Sequence, residues 1–181
     1  MPRSFTALGI LPLALFGAYL AGAVQDGRAA DSLWMCHVSN LLLALGLFGN
    51  WASLVGLAVA WIVLGVPLWI YDVWHTGAPR IVSSFAHLGG LAVGLYALSQ
   101  VRVRHNPWLY ALVLYLVVQQ LCRWLTPAEL NVNLAHRAYE RWDGVPGGYG
   151  AYWIATTSLV ALALWGIGRL LMFAFPPQRD H

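Results

Sequence analysis

Apolar residues run through the chain in six long blocks, separated by short clusters of charged residues, glycine, proline or asparagine. A helix needs about 20 mostly apolar residues to cross a bilayer, and the polar clusters mark where such helices end. The pattern predicts membrane spans at about residues 5–24, 31–49, 51–71, 82–100, 107–125 and 150–175. The predicted fold is an all-α, polytopic membrane helix bundle of about six transmembrane helices in a single domain.

The first apolar block, from Phe5 to Val24, has an alternative interpretation as a secretory signal. The apolar part of a signal peptide is usually about 7–15 residues long. A block of about 20 residues favours a transmembrane helix instead.

The longest polar break, residues 126–149, is the least lipid-like part of the sequence. Thr126 followed by Pro127, with Glu129 in the next turn, is typical of a helix start and predicts a short helix there. The glycine-rich stretch after it predicts an irregular loop. Connections of this length are usually functional or disordered, and the aromatic and amide content of this one argues against disorder.

Composition places the chain in the membrane class. Apolar residues make up 60% and charged residues 9%, whereas soluble domains carry roughly 25% charged residues. The net charge of +3 is spread over several loops and predicts no nucleic-acid partner. Cys36 and Cys122 lie in different apolar blocks, without the spacing of a disulfide framework or a zinc motif.

Alternating spans would bring many polar side chains to one side of the membrane. Ionisable residues at membrane depth normally face a bundle interior or a water-filled space, so we expect a hydrophilic cavity open to that side. The side chains expected there are Cys36, His37, Asn40, Asp72, His75, His87, Arg123, Glu129, Asn131, Asn133 and His136.

Cys36 and His87 are the predicted catalytic pair. On a helix, His37 points about 100° away from Cys36, which makes it a poor base for its neighbour. His87 opens the fourth predicted span, with Ser83 one turn before it on the same face. A thiol and an imidazole at one depth could transfer acyl groups through a thioester, although a buried cysteine is more often a small hydrophobe.

Four other residues are candidates for binding the substrate or its oxyanion: Asn40, Arg123, Asn131 and Asn133. Amides could donate to an oxyanion and the arginine could pair with phosphate. The structural alternatives are that the asparagines tie the loop and that the arginine extends to the interface. His37, Ser83 and Gln119 are candidates for supporting these groups from behind.

Metal binding is the alternative chemistry. His37, Asp72, His75, His87 and His136 supply enough ligands for zinc or iron, but their spacing matches no metal motif. The alternative function is therefore a non-enzymatic membrane protein that binds metal, haem or lipid. A third possibility is an assembly subunit whose polar side chains join helices. The leading hypothesis requires no cofactor.

The chain resembles the transmembrane protein 164 family, which includes bacterial YwaF-like membrane proteins. The resemblance covers residues 31–160 and rests on "CHV" at 36–38, His87 opening a later helix, "LTPAELNVN" and "GGYGAYW". It implies a multi-pass acyltransferase of the bacterial cytoplasmic membrane that acts on phospholipids. It makes Cys36 the nucleophile, His87 its partner and Asn131 and Asn133 an element near the site. Met35 departs from the proline expected in animal members.

Overall fold

A computed structural model describes residues 3–77, 81–100, 106–139, 144 and 146–176, with side chains from residue 6 onward. The regular secondary structure in these ranges is all helical, with no strand. The α-helices are α1 (Arg3–Leu8), α2 (Ile10–Gln25), α3 (Met35–Phe48), α4 (Ala52–Thr76), α5 (Ile81–Gln100), α6 (Trp108–Leu125) and α7 (Gly148–Ala174). The predicted all-α membrane bundle is confirmed.

Within the described ranges, five helical segments are long and apolar enough to cross a membrane. They correspond to the first, third, fourth, fifth and sixth predicted spans and comprise Thr6–Gln25, Ala52–Thr76, Ile81–Gln100, Trp108–Leu125 and Gly148–Ala174. The second predicted span is the exception.

Helix α3 is shorter than the span predicted at residues 31–49. A 3₁₀ helix covers Ala29–Leu33, and α3 begins only at Met35. Its 14 residues rise about 21 Å, against about 30 Å of hydrocarbon. A helix of this length that starts at one membrane surface ends inside the hydrocarbon layer.

Helix α4 is longer than predicted, because it continues past residue 71 to Thr76. Its last carbonyls have local partners: the Thr76 hydroxyl donates to the Asp72 carbonyl oxygen at 2.9 Å, and His75 Nδ1 lies 2.8 Å from the Tyr71 carbonyl oxygen. Gly77 then ends the helix with a φ of 66°, a left-handed conformation that glycine adopts without steric cost. Polar residues on the exposed last turns did not end the helix.

A short helix forms after Thr126, as predicted, but it is a 3₁₀ helix and not an α-helix. The chain forms two 3₁₀ turns, Ala128–Leu130 and Val132–Leu134. Asn131 and Asn133 have φ values of 45° and 52°, and residues with positive φ cannot continue an α-helix. Asparagine tolerates this region better than most residues, which explains why two of them stand here.

Helix α4 occupies the centre of the bundle and contacts α3, α5, α6 and α7. Helices α2, α3 and α5 pack against one another on one side of it, and α6 and α7 form a pair on the other side. The core between them contains fully buried aliphatic side chains, among them Leu43, Val55, Val59 and Leu164.

Candidate functional site

The amino end of α3 is covered by the polar loop that follows α6. The Met35 backbone N–H donates to Asn133 Oδ1 at 3.0 Å, and Asn133 Nδ2 donates to the Leu33 carbonyl oxygen at 2.8 Å. The same amide nitrogen donates to Cys122 Sγ at 3.3 Å. Asn133 is therefore a helix cap supplied from about 100 residues away in sequence.

Gln119 holds this cap from behind. Its Nε2 donates to the Asn133 carbonyl oxygen and to the Tyr115 hydroxyl, each at 3.0 Å. Its Oε1 accepts from Trp153 Nε1 at 2.6 Å. A continuous chain of hydrogen bonds thus runs from α7 through α6 and the loop to the first residue of α3.

Two buried histidines, His37 of α3 and His87 of α5, are in contact near this cap. The ring centroids of His37 and His87 lie 5.5 Å apart in an edge-to-face arrangement. His37 stacks on Tyr19 of α2 with centroids 3.4 Å apart, and His87 stacks on Trp69 of α4 at 5.3 Å. Each histidine is 4% exposed, so the pair is fixed between aromatic rings inside the bundle.

The hydrogen bonds of the two histidines differ. His87 Nδ1 lies 2.8 Å from the Ser83 carbonyl oxygen. Because a carbonyl oxygen only accepts, Nδ1 carries the proton, and Nε2 of the neutral ring holds a lone pair. His37 Nδ1, in contrast, is buried without a hydrogen-bond partner.

Asn40 joins α3 to α5. Its Nδ2 donates to the carbonyl oxygens of Cys36 and Ala86, each at 3.2 Å, and its Oδ1 is buried without a partner. Gly90 makes room for the amide, since a Cβ there would lie well inside contact distance of Oδ1. Asn40 therefore fixes the first turn of α3 against the helix that carries His87.

Cys36 is half-buried at the first turn of α3. It faces α4, where a Cβ on Gly65 would come within 3.1 Å of Cys36 Cβ. Among the described residues no hydrogen bond joins its thiol to His87. The ring contact with His87 is made by His37, the direct neighbour of Cys36.

The remaining predicted substrate residues lie elsewhere or are engaged. Asn131 folds the loop on itself: its Oδ1 accepts from the N–H groups of His136 and Arg137, and its Nδ2 donates to the Arg137 carbonyl oxygen. Arg123 is exposed between α6 and α7, with its guanidinium carbon 5.2 Å from the centre of the Tyr149 ring.

The alternative metal ligands do not form a site in the described part of the chain. No group of three or more His, Cys, Asp or Glu side chains there could hold a metal ion. Of the set proposed from sequence, His37 and His87 are neighbours. Asp72 and His75 are exposed on the last turns of α4, and His136 lies in the loop.

Sequence reasoning missed the aromatic partners Tyr19, Trp69 and Trp153. All three lie in predicted spans, near the ends that the polar residues share. The sequence offers ten tryptophans and eight tyrosines, and an interfacial belt accounts for most of them equally well. Only the helix packing distinguishes these three.

Comparison of the chain with protein-family models, with curated proteins and with solved structures found no match.

Proposed function

We propose that the protein is an integral membrane lipid acyltransferase or lipid-ester hydrolase of the bacterial cytoplasmic membrane. Cys36 is the nucleophile and His87 the general base. The observation that carries the proposal is the convergence of the amino-terminal turns of α3 and α5. There His37, the neighbour of Cys36, touches a buried His87 whose Nδ1 donates to the Ser83 carbonyl oxygen. That bond leaves Nε2 free to accept a proton.

The reaction is a two-step acyl transfer. His87 Nε2 removes the thiol proton of Cys36, and the thiolate attacks the ester carbonyl of an acyl lipid. The C–O bond of the ester breaks, and the departing alkoxide takes the proton back from His87. An alcohol or water then attacks the thioester, His87 accepts its proton, and the proton returns to the Cys36 sulfur as the acyl product leaves.

The first turn of α3 supplies a donor for the oxyanion. The N–H groups at the start of a helix have no partner within it. Asn133 accepts from Met35 N–H, and the Trp34 carbonyl oxygen accepts from His37 N–H at 2.9 Å. The Cys36 N–H is the next donor of this turn, and in this proposal it donates to the developing oxyanion.

Asn40 and Asn133 position this turn in the proposed mechanism. Asn40 holds the Cys36 carbonyl against α5, and Asn133 holds the preceding N–H. His37 stacks on Tyr19 and contacts the His87 ring, and so fixes the depth of His87 relative to the first turn of α3.

The test is acylation of purified protein by phospholipid, measured by intact mass and by release of the acyl group with neutral hydroxylamine. The wild type should carry one hydroxylamine-sensitive acyl chain on Cys36. Cys36→Ala should carry none, and His87→Gln should acylate at least 100-fold more slowly, as expected for loss of a general base. Cys122→Ser is the matched control and should acylate normally. Full lipid turnover by Cys36→Ala would show that the mechanism is wrong.

A further inference from the structure

An open groove of about 250 Å³ lies between α6 and α7, beside the start of the polar loop. It is lined by Gln120, Arg123, Tyr149, Gly150 and Trp153. None of these residues belongs to α2, α3 or α5, which carry the histidine cluster. The groove is therefore separate from the proposed catalytic site.

The groove has one positive charge. Arg123 lies in the last turn of α6 and is exposed. No carboxylate within the described ranges forms an ion pair with it. The guanidinium carbon lies 5.2 Å from the centre of the Tyr149 ring, a cation–π contact. This contact uses none of the five N–H donors of the guanidinium as a hydrogen bond to oxygen.

Tyr149 and Trp153 line the groove with ring carbons, because their polar atoms bond to the protein elsewhere. Trp153 Nε1 donates to Gln119 inside the bundle. The Tyr149 hydroxyl lies 2.9 Å and 2.8 Å from the carbonyl oxygens of Leu134 and Ala135. Their polar atoms are thus committed to the protein, and ring carbons remain to line the groove. A Cβ on Gly150 would meet nothing within 4 Å, so the floor is open.

The position of the groove matches the membrane interface. Trp124, next to Arg123, is 77% exposed and Leu125 is 70% exposed, as expected where aromatic and apolar side chains meet lipid. A basic group at the end of a membrane helix, next to apolar walls, faces the level of the lipid headgroups. The anion present there at high concentration is the phosphodiester of phospholipids.

We propose that this groove binds the phosphate of a membrane phospholipid. The Arg123 guanidinium donates paired hydrogen bonds to the phosphate oxygens, Gln120 donates from its amide, and the rings of Tyr149 and Trp153 cover the glycerol and upper acyl region. This site is independent of acyl transfer at Cys36, so either proposal can fail without the other.

The experiment measures lipid binding to the delipidated full chain by native mass spectrometry in detergent. The probes are phosphatidylglycerol, diacylglycerol with the same acyl chains, and soluble glycerol phosphate. Arg123→Gln removes the charge, and Gly150→Leu fills the groove while retaining the charge. Arg169→Gln is the matched control, because Arg169 is also exposed on a membrane helix but lies near the other end of α7.

We expect phosphatidylglycerol to bind the wild type about tenfold more tightly than diacylglycerol, as one charge-assisted bidentate contact would provide. Arg123→Gln and Gly150→Leu should each remove this preference, and Arg169→Gln should retain it. Unchanged phosphatidylglycerol binding by both Arg123→Gln and Gly150→Leu would overturn the proposal, as would equal affinity of the wild type for diacylglycerol. Binding of glycerol phosphate as tight as that of phosphatidylglycerol would identify a soluble phosphate ligand and overturn the assignment to a lipid.

Discussion

Replacing Asn133 by alanine should destabilise the protein strongly, since this one side chain makes three hydrogen bonds. Two join the loop to the backbone at the start of α3, and the third joins it to Cys122 in α6. The buried Met35 N–H would lose its acceptor, which costs about 1–3 kcal/mol. Loss of the bond to the Leu33 carbonyl adds about 0.5–1.5 kcal/mol. Alanine at the φ of 52° adds about 1 kcal/mol of backbone strain. We expect a total loss of about 2.5–5.5 kcal/mol in the free energy of unfolding.

Two further variants separate these contributions. Asn133→Gly removes the amide but accepts the positive φ, so it should be about 1 kcal/mol less damaging than Asn133→Ala. Asn131→Ala is the matched control: Asn131 also has a positive φ and three side-chain hydrogen bonds. Because Asn131 is only partly buried, water can replace its contacts, and the expected cost is about 1–2 kcal/mol.

The assay is equilibrium unfolding in mixed detergent micelles, followed by tryptophan fluorescence. Alkylation of Cys122 provides a local measurement, because this thiol is 0% exposed and accepts a hydrogen bond from Asn133. Asn133→Ala should raise its alkylation rate before global unfolding. If Asn133→Ala costs less than about 1 kcal/mol, or no more than Asn131→Ala, then Asn133 is not the cap inferred from its contacts.

Two more predictions concern helix contacts and use the same unfolding assay. Gly90→Ala should destabilise the protein by about 1–3 kcal/mol, because its Cβ would displace the Asn40 amide. A Cβ at Gly89 would meet only the end of a leucine side chain, Leu15 Cδ1, at 3.0 Å, so Gly89→Ala should be neutral or stabilise by up to about 1 kcal/mol. Equal effects of the two substitutions would contradict this close packing. Trp153→Phe should lower the free energy of unfolding by about 1–3 kcal/mol, because it leaves Gln119 Oε1 without its donor. A stability equal to that of the wild type would show that this oxygen finds another partner.

The sequence predicted the all-helical fold and five of the six long apolar helices because hydrophobic length is a local property. It also made Asn40 a candidate site residue, and the Asn40 amide bonds the Cys36 carbonyl. It could not predict that His37 and His87 touch through their rings. That contact depends on which helices are neighbours, and span alternation fixes only which ends lie on the same side.

The helix lengths at the site differed from prediction for a related reason. Asp72 and His75 looked like the start of a loop, but both fit on exposed helical turns, and termination waited for Gly77. Thr126 and Pro127 carried a helix-start signal, yet the positive φ of Asn131 and Asn133 limits the segment to 3₁₀ turns. Asn131 is held in that conformation by contacts within the loop, and Asn133 by contacts with distant residues. Contacts of the second kind cannot be predicted from a local sequence pattern.

The unequal lengths of α3 and α4 explain why the loop carries so many amide contacts. The two helices are joined at the tight turn after Phe48. From that turn, α4 with its 25 residues extends about 16 Å further than α3 with its 14 residues. The space beyond the amino end of α3 is occupied by 3₁₀ turns and loop backbone. Such backbone is tolerated at membrane depth only when the protein itself satisfies its hydrogen bonds. Asn133 and Gln119 do this for the loop and for the first turn of α3.

The same bonds set the depth of Cys36, so activity lost on replacing Asn133 would reflect a displaced nucleophile rather than a lost substrate contact. Measuring acylation by Asn133→Gly under conditions where it remains folded distinguishes the two: a displaced Cys36 should slow acylation at every lipid concentration, whereas a lost substrate contact should be overcome by more lipid.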